Sequence, residues 1–171
     1  MNSLPKLTLV LGGAASGKSA YAEGLIAGSG LQKVYIATAQ VYDAEMEAKV
    51  ARHREMRGEG WITYEEPLEV SAILSQVQDG QAVLLDCATL WLTNVMLADH
   101  DIAAASAGLV QGLAGCAAPV VIVSNEVGQG IVPDNALARR FRNAQGALNQ
   151  AIAAEADSVV AVMAGLPLVL K

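Results

Sequence analysis

Leu7-Thr8-Leu9-Val10-Leu11-Gly12-Gly13-Ala14-Ala15-Ser16-Gly17-Lys18-Ser19 decides the fold. Its second part, Gly12 to Ser19, satisfies G-x-x-x-x-G-K-[ST] at every position. An apolar run precedes it, and Ala20-Tyr21-Ala22-Glu23-Gly24-Leu25-Ile26 follows with helix-forming composition. That strand-loop-helix setting is the one in which this motif cradles phosphate. Glycines let the chain curl so that successive N–H groups point at phosphate oxygens, and the new helix adds its positive end. Lys18 is placed to reach the β- and γ-phosphates, and the Ser19 hydroxyl to hold Mg²⁺. The sequence therefore predicts a nucleoside-triphosphate site formed by Gly12, Gly13, Ala14, Ala15, Ser16, Gly17, Lys18 and Ser19.

Outward from this loop, apolar runs alternate with helical stretches. Strands are expected at 6–11, 33–37, 82–86, 120–124 and 158–163, with a short one at 167–170. Helices are expected at 18–27, 43–57, 67–78, 89–98, 101–114 and 134–156. Such alternation predicts an α/β fold: a mostly parallel sheet with helices on both faces. Only Ala164 to Pro167 separate the last two strands, too few for a crossover helix, so an antiparallel hairpin at one edge is expected. The 171 residues read as one domain, since no linker or repeat divides them.

Composition narrows the function. Net charge is −6 and basic residues form no long run, which argues against a nucleic-acid partner. Cys87 and Cys116 lack metal-ligand spacing and read as free thiols of a reducing cytoplasm. The first residues carry no signal-peptide pattern. The stretch from Ile102 to Val123 is uncharged and long enough to suggest a membrane span. Its glycines, Ser106, Gln111 and Pro119 divide it instead into a helix, a turn and a buried strand, so no membrane span is expected.

In open parallel sheets ligands bind beyond the carboxyl ends of strands. Asp86 ends its strand and is a candidate second Mg²⁺ contact, with helix N-capping as the alternative. After 33–37 come Ala37, Thr38 and Ala39, then a helix opened by Asp43. That helix carries Lys49, Arg52, His53, Arg54 and Arg57, the densest basic cluster in the chain. Lys49, His53 and Arg57 share a face, while Met46 and Val50 are expected to pack inward. A basic C-terminal half simply complements the helix dipole. Alternatively, a neutral imidazole is a nucleophile, and arginines beside it hold the phosphates it attacks. Glu65 is placed to meet a ribose or base, Glu66 to cap the next helix. Asn125-Glu126 suits either substrate contact or a turn.

Taken together, several segments resemble one family. They are the phosphate loop, Tyr35-Ile36-Ala37-Thr38-Ala39, Asp43-Ala44-Glu45-Met46, His53-Arg54-Glu55-Met56-Arg57 and Trp61-Ile62-Thr63-Tyr64-Glu65. Asp86-Cys87-Ala88-Thr89-Leu90-Trp91-Leu92-Thr93-Asn94 and Ser124-Asn125-Glu126-Val127-Gly128-Gln129-Gly130-Ile131-Val132-Pro133 complete the set. The sequence is similar to the bifunctional adenosylcobinamide kinase/adenosylcobinamide-phosphate guanylyltransferases of cobalamin biosynthesis, over nearly its whole length.

The resemblance implies a P-loop NTPase-like fold and two reactions. ATP or GTP phosphorylates the hydroxyl of adenosylcobinamide, and GMP from GTP then passes to that phosphate through a guanylylated histidine. His53 is the matching histidine and, with Lys18, the implied catalytic residue. Implied nucleotide contacts add Ala37, Thr38, Ala39, Arg54, Glu55, Met56, Arg57, Glu65 and Asp86 to the phosphate loop. Mg²⁺ on Ser19 and Asp86, a corrinoid acceptor and a homotrimer are implied as well. The chain departs from the family pattern at Gly58, where proline is common, and at Ala15, where arginine is common. The competing reading is a P-loop kinase of another small metabolite, with His53 structural.

Overall fold

The computed structural model describes residues 3–41 and 43–171, without the side chains of Lys49 and Met56. Thirteen elements follow in the order β1 (Leu7–Gly12), α1 (Lys18–Ala27), β2 (Gln32–Ala37), α2 (Ala44–Arg57), β3 (Trp61–Glu65), α3 (Val70–Leu74), β4 (Gln81–Asp86), α4 (Ala88–Leu97), α5 (Ile102–Gly115), β5 (Val120–Asn125), α6 (Ala136–Glu155), β6 (Ser158–Met163) and β7 (Leu166–Val169). The strands form one sheet in the order β3-β2-β4-β5-β1-β6-β7. Neighbouring strands are parallel except at the β6–β7 hairpin. The expected mostly parallel sheet with an antiparallel C-terminal edge is what forms.

Strand side chains alternate between the two faces. Leu7, Leu9, Val34, Ile36, Val83, Leu85, Val120 and Ile122 enter one core with Leu74, Trp91, Leu92, Leu113, Leu148 and Ile152 from α3 to α6. Val10, Tyr35, Leu84, Val121, Val123, Val160 and Val162 face the other way, against Ala22 and Ile26 of α1. Helices therefore cover both faces unequally. The uncharged stretch from Ile102 divides into α5 and β5, as expected. Among the described residues no helix is long and apolar enough to cross a membrane.

Three expectations need correction. Trp61–Glu65, absent from the expected strands, is a strand paired with β2. Its aromatic and β-branched residues suit an edge strand, but five residues give little periodicity to read. The helix expected at 67–78 shrinks to Val70–Leu74. Before it, the Glu66 carboxylate accepts from Leu68 N at 2.9 Å and Glu69 N at 2.8 Å, and Leu68 O accepts from Trp91 Nε1 at 2.9 Å. After it, Ser75 Oγ and Gln76 Nε2 both donate to Ala72 O, so side chains compete for backbone acceptors. Met46 and Val50 are half-buried on the inner side of α2, but His53 and Arg57 share that half-buried face with them and do not lie on a separate side as expected.

The phosphate loop sits where β1 runs between β5 and β6. Gly17 starts α1 at φ +94°, a region that penalises a Cβ. A Cβ on Gly12 would collide with the Ser16 side chain and come within 2.8 Å of Val162 O. The β6–β7 turn closes the other side, with Gly165 N donating to Ser16 O at 2.8 Å. Gly12→Ala is accordingly expected to lower stability by ~1–3 kcal/mol, as overpacking of a closed site does. Urea denaturation checks this, and an unchanged midpoint would show that the loop relaxes freely.

Candidate functional site

Parallel pairing brings the carboxyl ends of β1, β5, β4, β2 and β3 to one edge. Gly12 lies beside Asn125, and Ala37 lies beside both Asp86 and Glu65. From Gly12 to Glu65 this edge spans four inter-strand steps, ~19 Å at the usual strand spacing. Lys18 and Glu65 thus lie at opposite ends of an extended row. The phosphate loop is at one end and the α2–β3 pair at the other.

At the loop end, Lys18 Nζ donates to Gly13 O at 2.9 Å, reaching across the turn. Glu126 N donates to Gly12 O at 3.0 Å, which ties the segment after β5 to the loop. Buried Gln145, Asn149 and Ser124 form a hydrogen-bonded cluster under that segment, and Asn149 Nδ2 donates to Asn125 O at 3.2 Å. Glu126 Oε1 accepts from Gly128 N at 2.6 Å, so its carboxylate does turn chemistry here.

In the middle stands Asp86. Helix α4 is capped by Cys87, whose Sγ accepts from Leu90 N, so the N-cap alternative for Asp86 falls away. Burial and the adjacent Asp86 carboxylate push the Cys87 thiol up to about 11, with Lys18 pulling weakly the other way. The thiol therefore stays protonated at neutral pH. Thr38 is fully buried and its hydroxyl is spent on the fold: it donates to Cys87 O at 2.7 Å and accepts from Cys87 N at 2.9 Å.

Tyr35, on β2 two residues before Ala37, is a site residue that no sequence signal singles out. Its hydroxyl donates to Asp86 Oδ2 at 3.3 Å, and the Arg57 guanidinium lies 3.5 Å from its ring centroid. Burial first and the Asp86 carboxylate second raise the Tyr35 phenol far above its ordinary value, so it remains a donor. Trp61 meets Tyr35 edge to face at 6.1 Å, and its Nε1 donates to Arg57 O at 3.2 Å. Glu23, half-buried on α1 one turn after Ser19, also faces this cluster. Burial raises its carboxyl, Arg57 lowers it and Asp86 raises it.

At the far end, Arg54 Nη2 pairs with Glu65 Oε1 at 2.8 Å. Both side chains are more than 60% exposed, 62% and 66%, so the pair contributes at most ~1 kcal/mol. The stacked Arg57, worth ~0.5–2 kcal/mol, is the stronger tether of α2. His53 is half-buried one turn before Arg57, and Asp43 caps the start of the helix through Met46 N at 2.7 Å. Arg57 is joined to the Asp86 cluster and Arg54 to Glu65; among the described residues none hydrogen-bonds the His53 side chain. The Met56 and Lys49 side chains lie outside those described.

Among the described residues no three acidic, histidine or cysteine side chains form a metal cage. The donor set nonetheless suits Mg²⁺, which keeps waters and takes one or two carboxylates plus substrate phosphates. Asp86, half-buried and excused from capping, is such a carboxylate. A groove of about 1200 Å³ lies between α5 and α6 and includes none of the residues expected to form the site.

The chain is similar to known proteins over nearly its whole length. The family described as cobinamide kinase / cobinamide phosphate guanyltransferase matches residues 8–170. The bifunctional adenosylcobalamin biosynthesis protein CobP of Pseudomonas aeruginosa is 46% identical over 166 residues, covering 95% of this chain and 96% of that one. Its counterpart CobU of Escherichia coli K12 is 39% identical over 181 residues, covering 96% and 99%. Among solved structures, the RadB recombinase superposes with a TM-score of 0.57 at 17% identity over 94% of this chain and 76% of its own, a likeness of fold alone. A match that runs from the first strand to the last, shared with relatives of the same length, means that the chain belongs to the cobinamide kinase / cobinamide phosphate guanyltransferase family.

Proposed function

We propose that this chain phosphorylates adenosylcobinamide with ATP or GTP and then transfers GMP from GTP to the product, giving adenosylcobinamide-GDP. The observation that supports this reading is the single strand-end row, with the phosphate loop at one end, Asp86 in the middle and the last residue of the histidine helix joined to Asp86 through Tyr35. Family membership supplies the substrates.

In the first reaction, loop N–H groups and Lys18 hold the triphosphate. The acceptor hydroxyl oxygen forms a bond to the γ-phosphorus, its proton is released, and the nucleoside diphosphate leaves. In the second, an imidazole nitrogen of His53 forms a bond to the α-phosphorus of GTP as pyrophosphate departs. An oxygen of cobinamide phosphate then attacks the same phosphorus, the P–N bond breaks, and His53 is regenerated. Splitting one transfer between two poor partners into two steps is the usual advantage of a covalent intermediate. Arg54 and Arg57 supply positive charge beside the histidine, which matters because phosphoryl transfer depends on positioning and charge neutralisation. Ser19 and Asp86 would hold Mg²⁺, which when bound neutralises charge on the triphosphate.

We assign Ala37, Ala39, Glu55, Met56 and Glu65 to the nucleotide, with Thr38 supporting that segment from within through its bonds to Cys87. The reading extends to a cytoplasmic homotrimer, in keeping with the family resemblance and with two buried free thiols. Nothing in it involves nucleic acid, given the acidic balance of the chain.

Incubation with GTP labelled at the α-phosphate and Mg²⁺ is expected to leave acid-labile, alkali-stable label on the protein. His53→Ala should abolish that label while GTP still binds. Label that persists in His53→Ala contradicts the assignment; a wild-type protein that phosphorylates other metabolites and takes no label favours the simple kinase.

The electrostatics of the site give a second expectation. Folding favours the protonated form of Glu23, so its ionised carboxylate costs the ligand-free protein stability at neutral pH. That cost disappears as pH falls through about 4.5, where the group is protonated in both folded and unfolded chains. Glu23→Gln should therefore raise the urea midpoint near pH 7, with the gain shrinking toward zero in acid. A gain that grows toward acid pH contradicts the raised carboxyl.

A further inference from the structure

We propose that Tyr35 is a positioning residue that joins the two reaction centres, its hydroxyl fixing the Asp86 carboxylate and its ring seating Arg57 at the end of the histidine helix. The proposal deepens the function proposed above and rests on it. Three contacts carry it: the hydroxyl on Asp86 Oδ2 at 3.3 Å, the guanidinium 3.5 Å from the ring centroid, and Trp61, which braces the ring edge to face at 6.1 Å while its Nε1 holds Arg57 O at 3.2 Å.

The arrangement is directional. Tyr35 is 5% exposed and sits on β2 between β3 and β4, so its backbone cannot shift without disturbing two strand pairings. From that fixed point one side chain reaches two functional elements by two different atoms. Its hydroxyl limits rotation of the carboxylate that ends β4. Its ring face receives the last residue of α2, a helix that puts no fully buried described side chain into the core. Among its described side chains, those that tie α2 beside the strand ends are this stacked arginine, whose carbonyl also accepts from Trp61, and the exposed Arg54–Glu65 pair. Lys33 completes the stack from outside, with Nζ 5.2 Å from the Trp61 ring centroid.

The two contacts separate by substitution. Tyr35→Phe keeps the ring and removes the hydroxyl; Tyr35→Leu removes both. Tyr35→Phe is expected to leave Mg²⁺-free GTP binding unchanged. It should raise, about fivefold to tenfold, the Mg²⁺ concentration needed to tighten GTP binding, measured calorimetrically. The low end reflects a bond longer than the usual O–H···O range. At saturating Mg²⁺, Tyr35→Phe should label His53 with GMP at close to the wild-type rate. Tyr35→Leu should label it at least tenfold more slowly, and Arg57→Ala should reproduce that slowing with a wild-type Mg²⁺ requirement. Circular dichroism on each variant confirms that it folds; if Tyr35→Leu does not, the Arg57→Ala and Tyr35→Phe pair decides.

A wild-type Mg²⁺ requirement in Tyr35→Phe overturns the hydroxyl half. Wild-type labelling in Arg57→Ala overturns the ring half. If the wild-type protein itself takes no GMP, the proposed function has failed, and the Mg²⁺ dependence of GTP binding still tests Tyr35 against Asp86.

Discussion

Parallel pairing is the constraint on which everything else depends. β1 is hydrogen-bonded on both sides by strands that run in its own direction, and β5, β4, β2 and β3 continue that direction to the edge. Six strands therefore end on one side of the sheet, and residues distant in sequence arrive there together. The two apolar cores enforce the register, since a slip by one residue would send Leu9, Ile36, Leu85 and Ile122 to the opposite face.

On that edge the two halves of the site are built differently. The phosphate loop is confined: Gly12 has no room for a Cβ, Gly165 N closes on Ser16 O, and the segment after β5 is bonded to Gly12 O and supported by the Ser124–Gln145–Asn149 cluster. The histidine helix has no fully buried side chain among those described and is held through Arg57, Arg54 and its N-cap Asp43. Confinement suits a group that must hold a triphosphate in one geometry. A tether of stacking and surface charge suits a helix whose side chains approach the phosphates from outside.

The sequence made the loop, the strand order of alternation and the C-terminal hairpin readable, because each rests on local rules: a fixed motif, continuous apolar runs and a connection too short to cross over. It also led to Asp43 as a cap and to the family. What it missed has a common physical cause. β3 is five residues long, α3 is ended by side chains that compete for its carbonyls, and the packing of α2 depends on a ring of the preceding strand, 22 residues before Arg57. None of these is encoded within a short window. Asp86 illustrates the point: sequence left metal contact and capping both open, and only the Cys87 cap removes the second. Tyr35 lay inside a quoted motif, yet its two partners come from β4 and α2, which no local pattern connects.

The central claim is that His53 relays GMP between a triphosphate held by the loop and a phosphorylated acceptor. Its most direct test starts from the GMP–protein adduct, isolated free of GTP and mixed rapidly with cobinamide phosphate. The account predicts that the label leaves the protein and appears in the diphosphate-linked product at least as fast as steady-state turnover. An adduct that stays labelled while added GTP is converted to product would contradict it, by showing that the transfer bypasses the histidine.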